Sequence, residues 1–114
     1  MGDILRETLL YDFYGELLTK RQRDYYELYY LNDLSLSEIA LQYGISPQAV
    51  NDALRRTARL LRRYEDVLGT IAQHAARVEM AGRLQEYVSD EENRKSEDFF
   101  EKIIYMAEEI KNGV

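Results

Sequence analysis

Five arginines, Arg55, Arg56, Arg59, Arg62 and Arg63, follow one another at one-, three- and four-residue steps in a stretch with helical spacing. Guanidinium groups stay charged at all physiological pH values and grip carboxylate or phosphate oxygens two at a time. The pattern therefore points to anion binding rather than to the making and breaking of bonds. Just upstream lie Ser46, Gln48, Asn51 and Asp52. Gln and Asn can each pair twice with adenine in a major groove, and Arg can do so with guanine. Residues 46–64 hold five Arg against one acid, Asp52, whereas residues 65–114 hold six bases against twelve acids. The basic row fits a clamp on a nucleic-acid backbone. It equally fits a solvated face pairing with Glu65, Asp66 or the acidic C-terminal segment. Asp52 places a carboxylate near a groove and Pro47 replaces a donor, so duplex DNA and a protein or ribonucleoprotein partner both stay open.

Other chemistry-bearing residues suggest less. His74 is the sole histidine and stands in an Ala-rich stretch, which reads as a structural or exposed position. Asp90, Glu91 and Glu92 could hold a divalent cation, but carboxylates in a helix's first turn are explained by its dipole. Tyr25, Tyr26, Tyr29 and Tyr30 could stack single-stranded bases; aromatics this dense on a short helix read more readily as core with hydroxyls at the rim. No nucleophile–base pair stands at usable spacing. The expectation is a protein that is not an enzyme, with no catalytic residue, no metal and no cofactor.

The whole chain has 114 residues, a net charge of -6 and no cysteine. Disulfides, thiolate catalysis and thiolate metal sites are thereby excluded. No run approaches the roughly 20 apolar residues of a spanning helix, and no signal peptide is visible at the start. A cytoplasmic protein without membrane insertion is expected. The negative total argues against indiscriminate coating of nucleic acid, but it sums unlike parts and leaves a contact by one basic helix intact.

These residues need positioning, and the apolar spacing is helical throughout. A first helix is expected from about residue 4 to 18, on Leu9, Leu10, Phe13, Tyr14, Leu17 and Leu18. Thr19 with Gln22 forms a capping-box pattern for a second helix, which stops near Asn32-Asp33. Ser35 with Glu38 starts a third, ended by Gly44, where a left-handed backbone suits glycine. Ser46 caps a fourth, with Pro47 in its first turn. No strong breaker follows until Ser89, so a long fourth helix is predicted. Its positions Leu61, Tyr64, Leu68, Ile71, Ala75, Val78 and Gly82 form a seam, packed within the chain or joining a homodimer. Ser89 with Glu92, or Ser96 with Glu97 and Asp98, starts an acidic last helix. Its Phe99, Phe100, Ile103, Ile104, Ala107 and Ile110 imply that it docks on something.

Small Ala40 at a crossing, Gly44 at a turn, and Ile39, Ile45 and Val50 as a local core together make a helix-turn-helix signal. The predicted fold is all-α, one helix-turn-helix domain over 1–114, with its core at about 19–64 and a helical extension at about 65–114.

Three blocks of the chain resemble a known family. Leu18-Thr19-Lys20-Arg21-Gln22-Arg23, Leu28-Tyr29-Tyr30-Leu31-Asn32-Asp33-Leu34-Ser35-Leu36-Ser37-Glu38-Ile39-Ala40 and Ser46-Pro47-Gln48-Ala49-Val50-Asn51-Asp52 are similar to the bacterial YlxM family. The helix-turn-helix part of that family is similar to region 4 of sigma factors. Pro47 stands here where the family usually has Arg, and Asn51 where it has Tyr. Members are encoded beside the genes for the signal recognition particle GTPase and its receptor. The resemblance implies a regulatory protein of that targeting pathway, whose partners would be signal recognition particle components. The alternative is a transcription regulator binding duplex DNA as a dimer through Gln48, Asn51 and Arg55, with phosphate contacts from Arg56, Arg59, Arg62 and Arg63.

Overall fold

The computed structural model describes residues 4–113. Among them there is no strand, and seven α-helices follow in order: α1 Ile4–Tyr14, α2 Lys20–Tyr26, α3 Leu36–Tyr43, α4 Pro47–Leu68, α5 Thr70–Ser89, α6 Glu91–Arg94 and α7 Phe99–Asn112. The predicted all-α helix-turn-helix architecture is thus formed. The chain divides into two compact units, one ending at Gly69 and the other beginning at Thr70.

In the first unit the helix starts follow from local hydrogen bonding. Thr19 and Gln22 exchange side-chain and backbone bonds of 3.2 and 2.9 Å, and Ser35 and Glu38 do the same at 3.1 and 3.0 Å. Each capping box satisfies amides that would otherwise lack partners. Ser46 closes the start of α4 by accepting from the Ala49 amide at 3.1 Å, with Pro47 in the first turn. Two predicted boundaries shift. The first helix ends at Tyr14 rather than near residue 18 and tightens into a 3-10 turn over Gly15–Leu17. After Tyr26 the second helix widens into a π-helical segment, Glu27–Leu31, closed by Asn32 donating to the Glu27 carbonyl at 2.9 Å.

Helix α4 is the hub of this unit and packs against α1, α2 and α3. Its Val50, Leu54 and Leu61 are fully buried, together with Ile39 of α3 and Tyr26 of α2. Ala40, 3 % exposed, allows α3 to approach α4 closely. Gly44 between them has φ 67° and ψ 34°. A Cβ there would meet nothing within 4 Å, so glycine is required for its dihedral angle and not for space. The tyrosine run is largely interior: Tyr25 and Tyr26 are buried and Tyr29 and Tyr30 half-buried. Tyr26 lies between Tyr11 and Tyr30, with ring centroids 5.1 and 4.5 Å away.

The single long rod toward Ser89 does not form. Gly69 adopts φ 62°, and its amide donates to the Glu65 carbonyl at 2.8 Å, which caps α4. A left-handed residue ends the helical ladder, so the seven-residue seam from Leu61 to Gly82 is interrupted at its middle.

The second unit is a hairpin of α5 and α7 joined through the short α6. Asp90, rather than Ser89, caps α6 by accepting from the Glu92 amide at 2.9 Å. Helix α7 begins at Phe99 after Asp98, whose carboxylate accepts from the Ser96 hydroxyl. The expected docking of the last helix occurs along one stripe. Phe99 stacks on Tyr87 of α5 at 5.8 Å, and Ile103, Met106 and Ile110 are half-buried beside it. Met80 is the one buried side chain among the described residues of this unit.

Candidate functional site

At about 100° per residue, Val50, Leu54, Thr57, Ala58 and Leu61 occupy one side of α4, and these are its buried residues. Gln48, Asp52, Arg55, Arg56, Arg59 and Arg63 lie on the opposite side and are exposed. The sidedness is built by the sequence: apolar and small residues recur at three- and four-residue steps, and arginines fill the remaining arc. Arg55 to Arg63 span about 12 Å of helix axis. Packing of α4 against three helices holds that arc rigid, so guanidiniums project from a fixed rod rather than from a loop.

The structure gives the nine candidate residues different roles. Ser46 is exposed but occupied as the α4 cap. Gln48 Nε2 donates to Asp52 Oδ1 at 3.3 Å, one turn apart, so the single acid of the row orients a neighbouring amide. Asn51 is half-buried at the edge of the face. Arg55, Arg56, Arg59 and Arg63 are brought together as an exposed group of cations.

Arg62 has a separate task. Its Nη1 donates to Glu7 Oε1 at 2.9 Å, and the Glu7 side chain is 3 % exposed. The Tyr26 hydroxyl donates to the other oxygen, Oε2, at 2.6 Å. Burial first, and then this bond to Glu7, pushes the Tyr26 phenol far above the usual tyrosine range. Tyr30 is raised as well, by burial and the nearby Glu7 charge. Where α1 meets the π-helical segment after α2, the Tyr11 hydroxyl donates to Glu27 Oε2, and burial followed by this bond raises its phenol too. The Tyr14 hydroxyl donates to Glu65 of α4. Tyrosine–carboxylate pairs thus link α1 to α2 and to α4.

Glu7 was not among the expected functional residues. Its signal lies in the spacing: Glu7, Leu10 and Tyr14 stand three and four apart and form the buried stripe of α1. An acid on an apolar stripe demands a neutralising partner, and the half-buried Arg62 supplies it.

The other candidate sites resolve structurally. Asp90 is a helix cap and Glu91 and Glu92 occupy the first turn that follows. Among the described residues no group of three His, Asp or Glu is placed to hold a metal ion. No described helix is long and apolar enough to cross a membrane.

Comparison with known proteins gives a consistent picture. A family model, UPF0122, described as "Putative helix-turn-helix protein, YlxM / p13 like", matches residues 1–102. A UPF0122 protein of Geobacillus kaustophilus is 49% identical over 85 residues, covering 75% of this chain and 77% of its own. One from Symbiobacterium thermophilum is 48% identical over 86 residues, covering 75% and 80%. One from Bacillus thuringiensis is 44% identical over 92 residues, covering 81% and 84%.

Proposed function

Because the chain belongs to the YlxM / p13-like helix-turn-helix family, we propose that it is a non-enzymatic regulatory protein that grips a polyanionic partner with the arginine face of α4. The observation that carries this reading is the exposure of Arg55, Arg56, Arg59 and Arg63 on the outer side of a helix whose inner side is locked into the core. Phosphate backbones are the natural complement. Duplex DNA carries one charge per about 1.7 Å of axis, and each neutralised phosphate releases counterions. The partner we assign is the signal recognition particle, a ribonucleoprotein of cytoplasmic protein targeting. That assignment follows from the resemblance to a family encoded beside targeting genes.

A second reading is favoured by one feature, the position of Gln48, Asn51 and Arg55 at the start of the helix that follows the tight Gly44 turn. This is where a recognition helix meets base edges. The protein would then be a sequence-specific regulator on duplex DNA.

A tagged pull-down from cells, with and without RNase and DNase, separates the two. The first reading expects targeting components that survive DNase. The second expects a DNase-sensitive complex, steep loss of binding with salt, and relaxed sequence preference in Asn51→Ala. Recovery of neither nucleic acid nor targeting components would reject both.

A further inference from the structure

Helix α7 carries two apolar stripes, and among the described residues of its own unit only one is covered. Phe99, Ile103, Met106 and Ile110 face the hairpin interior with α5. Phe100, Ile104 and Ala107, at i, i+4 and i+7, form a second stripe about 100° round the helix. Phe100 is 74% exposed and Ile104 59% exposed. Single exposed apolar residues are ordinary, but an aromatic and an isoleucine aligned one turn apart resemble the anchor spacing of helix-in-groove recognition. Beyond the stripe lie Glu101 and Glu108, and past them Tyr105, 64% exposed, whose hydroxyl is held by Glu109. Lys111 stands at the C-terminal end of the stripe. Residues 70–114 carry ten acids against six bases, and six of the acids fall between Asp90 and Glu101.

We propose that this outer face of α7 is a docking surface for a basic amphipathic helix of a protein partner. Leucine-like side chains of the partner would cover Phe100, Ile104 and Ala107, while its Lys or Arg residues would meet Glu101 and Glu108. Charge selects this occupant over a second copy of the chain. A parallel pair of α7 faces would need the flank already packed on α5. An antiparallel pair would bring the Glu101 and Glu108 flanks of both copies together, which is unfavourable wherever like charges meet across a contact. The surface uses none of the α4 residues. The protein would therefore present a cationic face for a polyanion and an acidic, apolar one for a basic helix.

The test uses the full chain and a fluorescein-labelled 18-residue Lys/Leu peptide with apolar residues at helical spacing. A scrambled peptide of equal composition and a Glu/Leu peptide of equal pattern serve as comparators. Saturable binding of the first alone is expected, weakened about tenfold by Ile104→Ser and again by Glu101→Lys with Glu108→Lys. Arg59→Glu should leave it unchanged. Exposure of these positions makes the variants safe for folding, checked by circular dichroism. Equal binding of the scrambled peptide, no binding, or indifference to Ile104→Ser would overturn the proposal. So would a dimer in sedimentation velocity that Ile104→Ser dissolves, since the occupant would then be a second copy.

Discussion

Arg62 and Glu7, 55 positions apart in the chain, meet in a 2.9 Å ion pair whose acid is almost wholly enclosed. The pair takes one arginine out of an otherwise uniform basic row and uses it to fasten α1 to α4. Proximity in sequence to Arg59 and Arg63 therefore does not confer the same role.

Removal of Arg62 should cost stability and little else. Leaving a buried carboxylate without its cation costs roughly 3–5 kcal/mol. The guanidinium is itself partly exposed, and Tyr26 still donates to Glu7, so Arg62→Ala should lose about 2–3 kcal/mol. Urea unfolding gives the value. Polyanion affinity of the folded variant should stay within about twofold of the parent, on the ground that surface changes outside a contact matter little. A loss as large as that of Arg59→Glu would make Arg62 a contact residue.

Charge reversal on the exposed row should do the opposite. Arg59→Glu with Arg63→Glu should leave the melting temperature nearly unchanged, because neither side chain is buried. Each lost phosphate contact should lower the slope of log affinity against log salt by about 0.7–0.9. Filter binding across a salt series reads both quantities, and an unaltered slope would remove these residues from the interface.

Alkaline pH should destabilise the first unit. In the unfolded chain a tyrosine ionises near pH 10, whereas Tyr26, Tyr11 and Tyr30 are held protonated above that in the fold. A raised folded pKa favours folding fully below the unfolded value. The benefit is lost as pH climbs from about 10 toward the folded value. Tyr26 alone contributes a slope of about 1.4 kcal/mol per pH unit in that window. Tyrosinate absorbance should accordingly show one group of tyrosines titrating near 10 and another appearing only with loss of helical dichroism. Smooth titration of all ten tyrosines without unfolding would contradict this.

Two substitutions at the turn separate geometry from contact. Gly44→Ala should cost about 1–2 kcal/mol, from the left-handed backbone alone, since the space for a methyl group is empty. Ser46→Ala should cost about 1 kcal/mol through loss of the cap while polyanion affinity of the folded protein holds. Thermal melts and the same binding assay decide both.

The local parts of this architecture were readable from the chain. Thr19, Ser35, Ser46 and Gly44 act through partners within five residues, so their spacing carries their geometry. The outer face of α4 was legible for the same reason, because helical periodicity alone decides which residues share a side. What depends on distant partners was not. The pairing of Arg62 with Glu7 needs α1 to be packed before it exists. Gly69 costs only about 1 kcal/mol in a helix, and nothing local distinguishes it from Gly82, which remains helical in α5. The apolar residues of α7 promised docking, yet a periodicity that places them cannot say that one stripe is used and the next left open.

The exposed cations of α4 are all arginines, and the four lysines of the chain, Lys20, Lys95, Lys102 and Lys111, stand outside that helix. Lysine acetylation removes a charge, and a neighbouring base can be titrated when buried, but a guanidinium offers neither route. The charge of this face is therefore proof against acetylation and against physiological pH. Control over what it holds falls to routes that leave the guanidinium charged: the supply of the partner, competing anions, or methylation that blocks its paired hydrogen bonds.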